Sequence, residues 1–503
     1  MDSPASPTSA AASPTLARAV QALLQRRCAA PVQLVETHLS WVFLTPRLAF
    51  KLKKPVRLPF VDFSTPALRE HFCREELRLN RRFAPRLYLR VLALRGSASA
   101  PDFAGPGQPI DHLLCMRRFP DAALLADQLA SGRVSAPDLE RFGLRLAESH
   151  ARSAVAAPDA PLGWPEQTLQ AMLKVLAQLR AVADDDRMRA LDAWVETQAW
   201  ALWELWLARR RDGFVRECHG DLHLGNVARI DGELRAFDCL EFDPGLRWID
   251  VMSDAAFLAM DLQAHGRADL GFRFLDGYLG ASGDYDGLRV LRFHAVYRAL
   301  VRALVARLAP AAPGPDYLAC ALQWATGAAP RLLITHGVSG SGKSTLAAAL
   351  LAACGAIRVR SDVERRRLGQ SADQRYGAAA SRLTYEGLAR AARSALAAGF
   401  PVIVDAAFLR AEDRAAFGAL AARMDVPFSI LSCAAPLPVL RQRVEDRRRA
   451  GVDPSEATVA VLDEQIGQVE ALTPAERCVA LAAPAVADAD ELARCGRAAV
   501  RPA

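Results

Sequence analysis

No two of the ten cysteines in this 503-residue chain are spaced as CxxC. Their irregular spacing argues against a disulfide framework or a zinc site, and indicates reduced thiols. A run of eighteen apolar residues, which a membrane-spanning helix would need, is also missing. The start, "MDSPASPTSAAASPT", has neither a basic segment nor an apolar core, so residues 1–14 are predicted to be a disordered tail rather than a signal peptide. We expect a cytoplasmic protein without a membrane partner.

Basic residues exceed acidic residues only slightly. The chain has 63 basic and 56 acidic residues, for a net charge of +7, spread along its length. This modest surplus suits acidic small molecules such as nucleotides, but it is too diffuse to argue for nucleic acid. No strip on which aromatic and basic residues interleave is visible, which also disfavours a nucleic-acid partner.

The chain is long enough for two or three domains, and no internal repeat divides it. Breaks rich in Pro, Gly and Ala at "LAPAAPGPDY" and "TGAAPR" place a boundary near residue 328. Strand-like runs and one Thr-capped helix predict a sheet-rich N-lobe over 15–119, and helical patterns predict a C-lobe over 120–327. Beyond it, five apolar strands alternate with helices, which predicts an α/β domain over 328–503 with a parallel sheet.

The segment "GVSGSGKS" fits G-x-x-x-x-G-K-[ST] completely, follows an apolar strand and opens a helix. Its glycines let backbone N–H groups turn toward phosphate oxygens, and the helix N-terminus adds positive potential. Lys343 would reach the β- and γ-phosphates of ATP, and Ser344 would be a ligand of Mg²⁺. The predicted nucleotide-binding residues here are Gly337, Val338, Ser339, Gly340, Ser341, Gly342, Lys343, Ser344 and Thr345.

Two carboxylates in this half follow predicted strands. Asp405 ends "PVIVD", where a second Mg²⁺ contact usually arises, although a solvated turn is the alternative. Asp362 would contact a substrate, or would simply lie in a favourable first turn if Ser361 and Glu364 form a capping box. In "LRQRVEDRRRAGVDPSEA", Arg443 and Arg447 would close over the phosphates as a lid, or lie on a solvated face.

Residues 330–503 resemble small P-loop kinases of the gluconate-kinase, zeta-toxin and polynucleotide-kinase type, with an AAA-type ATP-binding domain. The resemblance is carried by "HGVSGSGKST", "RSDVERRRL", "VIVDAAF" and the Arg-rich segment. It implies ATP binding and phosphoryl transfer without naming an acceptor.

The loop "HGDLHLGN" places Asp221 and Asn226 five residues apart. A carboxylate can orient an acceptor hydroxyl and take its proton, and a nearby amide oxygen can bind a metal held by ATP. Asp238 follows a strand-like run 17 residues (238 − 221) after Asp221, where a second metal carboxylate is needed. A polar turn whose Asp and Asn bond their own backbone is the alternative.

These residues match the H-G-D-x-H-x-x-N loop of aminoglycoside-phosphotransferase-like kinases, which are relatives of protein kinases. The resemblance covers roughly residues 30–325 and implies a two-lobed, α+β protein-kinase-like domain. It implies that Asp221 is the catalytic base, that Asn226 and Asp238 bind Mg²⁺, and that His219 and Asp250 support the loop. The whole chain is similar to bacterial proteins that join such a domain to a C-terminal P-loop domain.

A kinase-like N-lobe needs a lysine on a strand and a glutamate on a helix to hold it. "AFKLKKPV" offers Lys51 and Lys53 on one face, and we favour Lys51 for the phosphates; an exposed basic strand end is the alternative. "REELRLN" offers two glutamates, of which we favour Glu76. "CMRRF", 115–119, would be the hinge that contacts adenine. No G-x-G-x-x-G precedes "AFKLKK", which departs from protein kinases.

The leading hypothesis is a bifunctional enzyme with two Mg-ATP sites. The kinase-like domain, 15–327, would transfer phosphate to a hydroxyl of a small molecule, and the second ATP site would lie in 328–503. A nucleotide-sensing regulatory ATPase and a polynucleotide-kinase-like enzyme are the alternatives. The sequence leaves the acceptor and the oligomeric state open.

Overall fold

Contacts along the chain define two units, and the computed structural model describes residues 13–58, 61–182, 185–308, 314–368, 378–450 and 458–482. Unit 1 comprises the described parts of Met1–Val134, Arg152–Gln167 and Arg209–Asp254. Unit 2 comprises those of Ser135–Ala151, Thr168–Ala208 and Ala255–Ala503. The predicted tail lies outside the described residues up to residue 12, and the first helix, α1, is Ser13–Arg26.

The apolar runs of the N-lobe form an antiparallel sheet in unit 1. Its strands, with a separate short pair β4 and β5, are β1 (Gln33–Glu36), β2 (Ser40–Leu44), β3 (Leu48–Lys53), β4 (Arg57–Leu58), β5 (Val61–Asp62), β6 (Tyr88–Gly96), β7 (Pro101–Asp102) and β8 (Asp111–Arg117). The six-stranded sheet has the order β1-β2-β3-β8-β6-β7. One face of β3 and β8 carries Phe50, Leu52 and Leu113 into a core shared with α1, so the opposite face of β3 is left for Lys51 and Lys53.

Helix α2 (Pro66–Asn80) begins as predicted. The Thr65 hydroxyl accepts a hydrogen bond from the Leu68 N–H at 3.2 Å, and Pro66 takes the first helical position. The buried face of the helix includes Cys73 and Glu76. A charged residue on a buried face needs an ionic partner, which β3 supplies.

The rest of unit 1 positions two loops. Helix α3 is Leu125–Ala130, and the strands are β9 (Val215–Glu217), β10 (Val227–Ile230), β11 (Glu233–Ala236) and β12 (Trp248–Asp250). β10 and β11 form a hairpin around Asp231 and Gly232, which have positive φ of 51° and 83°. Asp-Gly is the usual sequence of such a two-residue turn. Loop 218–226 lies between β9 and β10, and loop 237–247 between β11 and β12.

The helical part of unit 2 contains close helix crossings. Its helices, some of which begin or end in unit 1, are α4 (Ala136–Arg152), α5 (Pro165–Arg180), α6 (Asp186–Arg211), α7 (Val251–Ala264), α8 (Ala268–Ser282), α9 (Leu288–Leu308) and α10 (Tyr317–Thr326). A Cβ on Gly143 would lie 2.2 Å from the Phe274 carbonyl oxygen, and one on Gly277 would lie 2.1 Å from the Glu140 oxygen. Glycine at both positions therefore lets α4 and α8 approach closely. Among the described residues, no helix combines the length and apolarity needed to cross a bilayer.

The second half of unit 2 is the predicted α/β fold. Its strands are β13 (Leu332–His336), β14 (Ile357–Arg360), β15 (Val402–Asp405), β16 (Phe428–Ser432) and β17 (Ala480–Ala482). They form a fully parallel sheet in the order β14-β15-β13-β16-β17, which confirms the prediction of five parallel strands. The helices are α11 (Lys343–Cys354), α12 (Ser361–Arg367), α13 (Ala378–Ala397), α14 (Ala411–Arg423), α15 (Leu437–Ala450), α16 (Val459–Gln468) and α17 (Pro474–Cys478).

We expect Arg414→Ala to destabilise unit 2 strongly. The Arg414 side chain is fully buried and forms a two-bonded pair with Glu476, at 2.7 and 3.1 Å, while also donating to the Phe408 and Leu409 carbonyl groups. Removing it would leave several carbonyl groups without a donor and the Glu476 carboxylate with only the Thr473 N–H, at a cost of roughly 3–5 kcal/mol. Urea unfolding would measure this cost. Arg423→Ala, an exposed position on the same helix, should change stability by less than about 0.5 kcal/mol.

Candidate functional site

Lys51, Glu76 and Asp238 meet in unit 1. The Lys51 Nζ lies 2.8 Å from Glu76 Oε1 and 2.7 Å from Asp238 Oδ1. Burial disfavours the ammonium form of Lys51, but Asp238 and Glu76 outweigh it and raise its pKa well above the usual value. For Asp238 burial likewise opposes the charge, and Lys51 still lowers its pKa. Lys51 and Asp238 therefore form a charged pair at neutral pH.

A second ion pair lies beside the first. Lys53, 1% exposed, donates to Glu76 Oε2 at 2.6 Å and to the Glu241 carboxylate. Both lysines of the strand thus contact Glu76. The sequence left open which lysine binds phosphate, and in the structure the two lysines differ in their second partner. Lys51 reaches Asp238, whereas Lys53 is enclosed by Glu76 and Glu241. The Asp238 carboxylate is also 44% exposed, so one side of it is open to a divalent cation.

Asp238 has an unusual backbone conformation. Its φ is 61°, in the left-handed region that a non-glycine residue rarely adopts. The Asp238 N–H donates to the Tyr88 hydroxyl at 3.0 Å, and the next N–H, of Cys239, donates to Asn80 Oδ1 at 2.9 Å. These bonds from β6 and α2 hold the turn that directs the carboxylate to Lys51. A backbone outlier that its surroundings hold in this way is typical of a functional position.

Asp221 and Asn226 lie together on the loop "HGDLHLGN". The Asn226 Nδ2 donates to both the backbone oxygen and the Oδ2 of Asp221, each at 2.9 Å. The Asp221 side chain is 34% exposed, and the His223 Nε2 is 3.5 Å from its carboxylate. The loop therefore presents a half-exposed carboxylate whose orientation an amide fixes. These bonds also contain the local pairing expected of a polar turn.

The loop has a support that the resemblance did not name. The N–H groups of His219 and Gly220 donate to the two oxygens of Asp254, at 2.6 and 2.9 Å. Asp250, which the resemblance implied as a support, forms a two-bonded pair with Arg209 at 2.6 and 2.9 Å, and its role in the loop stays a prediction. A single carboxylate in the first turn of α7 can accept both of these successive N–H groups, and Asp254 lies there.

His219 is a buried neutral support. Burial lowers the pKa of its imidazole, and its Nε2 lies 2.9 Å from the Phe237 carbonyl oxygen. This contact joins the loop to the strand end that precedes Asp238. His219 thus lies where the resemblance implied a support of the loop, beside Asp254.

Two other N-lobe expectations can be placed. Cys115 and Met116 of the predicted hinge are paired with Phe50 and Ala49 of β3, so the segment leaves the sheet beside the strand that carries Lys51. Its contact with adenine stays a prediction. The connection between β1 and β2 is a short turn closed by Thr37, whose N–H and hydroxyl both donate to the Ser40 carbonyl group. It contains no glycine, in line with the missing G-x-G-x-x-G.

In unit 2, the "GVSGSGKS" segment forms a phosphate-binding loop between β13 and α11. Gly337, Gly340 and Gly342 have positive φ of 138°, 83° and 93°. A Cβ on Gly337 would lie 2.2 Å from the Cys433 carbonyl oxygen, so this position requires glycine. Lys343 donates to the Val338 carbonyl group at 2.8 Å, and burial lowers the pKa of its ammonium group.

A hydroxyl and a carboxylate, both of the kind that ligates Mg²⁺, lie next to this loop. The Ser344 hydroxyl donates to Asp405 Oδ1 at 3.1 Å. Asp405 is 4% exposed, and its other oxygen, Oδ2, has no hydrogen-bond partner among the described residues. The Ser341 hydroxyl and Arg447 Nη2 are buried and likewise lack a partner there. A hydroxyl and a carboxylate suit Mg²⁺, and a free donor beside the loop suits phosphate, so the residues fit Mg-ATP.

A cavity of about 370 Å³ joins the loop to the predicted substrate and lid residues. Arg443 donates to the Gly340 carbonyl group at 3.3 Å, and Arg447 also lines the cavity. The capping box is wrong: α12 begins at Ser361, its N-cap is Arg360, and no side chain caps it. Glu364 pairs with Arg367 instead. Asp362 still lies in the first turn of α12, as the alternative expected, and it also lines the cavity, 3.3 Å from Arg365.

Four contributing residues were missed by sequence reasoning: Lys53 as a partner of Glu76, Glu241, Asp254 and Arg358. A carboxylate three residues after Asp238, in "FDCLEF", was the available signal for Glu241, and "WIDVMSD" offered Asp254 beside Asp250. No sequence pattern indicated a role for Arg358, because the role of an arginine inside an apolar strand depends on its tertiary partners.

Comparison with known proteins adds family and fold. The AAA domain family model, AAA_33, matches residues 332–472. The chain is 32% identical over 448 residues to "Uncharacterized protein Rv2004c" of Mycobacterium tuberculosis (strain ATCC 25618 / H37Rv), covering 85% of this chain and 88% of that one. "Uncharacterized protein Mb2027c" of Mycobacterium bovis matches to the same extent. The chain belongs to the family of these mycobacterial proteins.

Solved structures resemble the two parts separately. A choline/ethanolamine kinase family protein from Mesorhizobium loti has a TM-score of 0.38 and 13% identity, over 62% of this chain and 92% of that one. A gluconokinase from Sinorhizobium meliloti 1021 has a TM-score of 0.25 and 22% identity, over 35% of this chain and 93% of that one. The described geometry, with a Lys–Glu pair in the N-lobe and a P-loop on a parallel sheet, joins a kinase-like fold to a P-loop fold.

We expect Asp254→Asn to disable the loop more than it destabilises the chain. The amide oxygen that replaces the carboxylate can still accept one N–H group. The other N–H group loses its charged acceptor, which should lower the stability of the chain by about 1–3 kcal/mol. Misplacing Asp221 should lower the rate of phosphoryl transfer about 100-fold. Thermal unfolding and ATP turnover measure the two effects. Asp243→Asn, which alters a half-exposed carboxylate at the start of another short loop helix, is the control and should leave turnover unchanged.

Proposed function

We infer that this protein is a Mg-ATP-dependent phosphotransferase whose unit 1 transfers phosphate to a hydroxyl of a small molecule. One observation carries the inference: Lys51, paired with Glu76, contacts Asp238 in the unit where the loop carboxylate of Asp221 is held by Asn226. A polar turn alone would explain the bond between Asp221 and Asn226. It would not explain a buried lysine that joins a helix glutamate to a strained aspartate.

In this proposal each of these residues of unit 1 has its own role in phosphoryl transfer. Mg-ATP would supply the phosphoryl group, and its metal would neutralise charge on the phosphates. Lys51, positioned by Glu76, would bind phosphate oxygens, and Asp238 and Asn226 would hold the metal. Asp221 would accept the proton of the acceptor hydroxyl while its oxygen bonds to the γ-phosphorus, the bond from that phosphorus to the β-phosphate oxygen breaks and ADP leaves; this requires the half-exposed position that Asp221 has.

The P-loop of unit 2 is proposed as a second Mg-ATP site. Lys343 binds the β- and γ-phosphates, and Ser344 binds Mg²⁺ with Asp405 beyond it. The cavity continues past the phosphate loop to Asp362 and Asp413, and this space favours a second candidate function, in which unit 2 phosphorylates an acceptor of its own. We also propose that the protein acts in the cytoplasm.

Asp221 and Asp238 should differ in what their loss removes. In the full chain, Asp221→Asn should keep Mg-ATP affinity and lose about 10²–10⁴-fold in turnover, because it removes only the general base. Asp238→Asn should weaken metal and nucleotide binding as well, with partial recovery at high Mg²⁺. Both variants should be combined with Lys343→Ala, so that titration calorimetry with a non-hydrolysable ATP analogue reports unit 1. Equal binding defects in the two variants would refute the division of roles.

The two nucleotide sites should be separable in the full chain. Lys343→Ala should abolish one of two bound nucleotides and spare phosphoryl transfer by unit 1, because Lys343 lies in the phosphate loop of unit 2. Asp221→Asn should spare hydrolysis by the P-loop. Radiolabelled γ-phosphate, followed into inorganic phosphate and into a metabolite extract, measures both activities. If the wild type shows neither release nor transfer above the blank, the enzyme is excluded and a nucleotide-sensing protein is favoured.

A further inference from the structure

Arg358 of β14 lies at the centre of a buried charge cluster next to the phosphate loop. It is 5% exposed, and its Nη1 donates to the Ser344 carbonyl group at 3.1 Å. The same nitrogen lies 3.8 Å from Asp405 Oδ2, the oxygen without a hydrogen-bond partner among the described residues, and Arg360 Nε lies 3.6 Å from that oxygen. The guanidinium is thus in contact with the helix turn that carries Ser344 and adjoins Asp405, but it does not form a close pair with that carboxylate.

The close partners of Arg358 come from helices that precede the P-loop domain. Asp276 of α8 accepts two bonds from Arg358, at 3.1 and 2.5 Å. Glu140 of α4 lies 3.6 Å from the same guanidinium and 2.7 Å from Arg273. Burial opposes ionisation of Asp276, yet Arg358 lowers its pKa, whereas burial and Asp276 raise the pKa of Glu140. Asp276 is therefore the charged partner of Arg358.

These helices form part of the P-loop fold's own packing. Phe272 of α8 packs on the apolar cluster that contains Leu333, Leu346 and Ile403. Arg367 of α12 donates to the Gly280 carbonyl group at the other end of α8, at 2.8 Å. Helix α8 thus contacts the P-loop fold on both sides of Asp276.

We propose that Asp276, supported by Glu140, is a positioning residue for the P-loop site, which holds the Arg358 guanidinium on the Ser344 backbone and away from Asp405. The proposal rests on the inferred binding of Mg-ATP by this loop. Its physical basis is competition for a carboxylate. A guanidinium that lost Asp276 would be left between Glu140, at 3.6 Å, and Asp405, at 3.8 Å. Because Glu140 already pairs with Arg273, part of the charge of Arg358 would turn to Asp405, and an Asp405 paired with arginine would be a poorer partner for the hydrated Mg²⁺. The metal site of unit 2 is therefore completed by α4 and α8, outside residues 332–472 that match the AAA domain.

The test measures Mg²⁺ affinity in the full chain, with a non-hydrolysable ATP analogue present. The binding component that Lys343→Ala abolishes defines the P-loop site. We expect Asp276→Asn to lower the apparent Mg²⁺ affinity of that component about tenfold, while saturating Mg²⁺ restores nucleotide binding. The double variant Asp276→Asn with Arg358→Gln should recover most of the affinity, because it removes the competing charge; a merely structural role predicts that the double variant is worse than the single one.

A matched control is Asp286→Asn. Asp286 bonds Ser394 of α13, another contact between the helical part of unit 2 and the P-loop fold, and it does not line the cavity. This variant should bind Mg²⁺ as the wild type does. If Asp276→Asn does not fold, Glu140→Gln should show a smaller loss in the same direction. Wild-type Mg²⁺ affinity in the folded test variant, or no recovery in the double variant, would overturn the proposal. If Lys343→Ala abolishes no component, the inferred P-loop site itself fails, whatever Asp276 does.

Discussion

Buried charge must be met by opposite charge, and this constraint organises both candidate sites. An isolated ionised side chain in the interior costs far more free energy than a small protein can supply. Glu76 is fully buried and is shared by Lys51 and Lys53, while Arg358 is shared by Asp276 and the Ser344 backbone. Each central charge therefore brings several elements into one arrangement. Removing one partner would leave the others uncompensated, so these clusters fix position more than they add stability.

The two sites satisfy this constraint in different ways. The P-loop is built from consecutive residues, whose backbone N–H groups and helix N-terminus provide a field for phosphate. The site in unit 1 is built from side chains on β3, α2 and two loops, and its charges compensate each other. A backbone cradle needs glycines at positions such as Gly337. A side-chain site needs a framework of neutral bonds, such as those from Asn80 and Tyr88 to the turn at Asp238.

Much of the architecture was readable in the sequence because it follows from local patterns. The alternation of apolar strands with helices predicted the five-stranded parallel sheet, and Thr65-Pro66 predicted the start of α2. The Walker-type spacing located the phosphate loop, and "HGDLHLGN" located a loop that holds Asp221 beside Asn226. A local rule misled at α12, where S-x-x-E resembles a capping box. There Glu364 finds Arg367, and the helix starts one residue earlier than the box requires.

The sequence by itself determined which residues can carry the chemistry: a phosphate loop, two loop carboxylates, and a lysine strand followed by a glutamate helix. Spacing and backbone preference are short-range properties, so a single segment is enough to reveal them. Only the tertiary structure decided which charges pair. It assigned one Glu76 oxygen to each lysine, placed Asp254 at two N–H groups of loop 218–226, and paired Asp276 with Arg358 across 82 residues of chain. Those pairings depend on which elements pack together, and no local pattern specifies that.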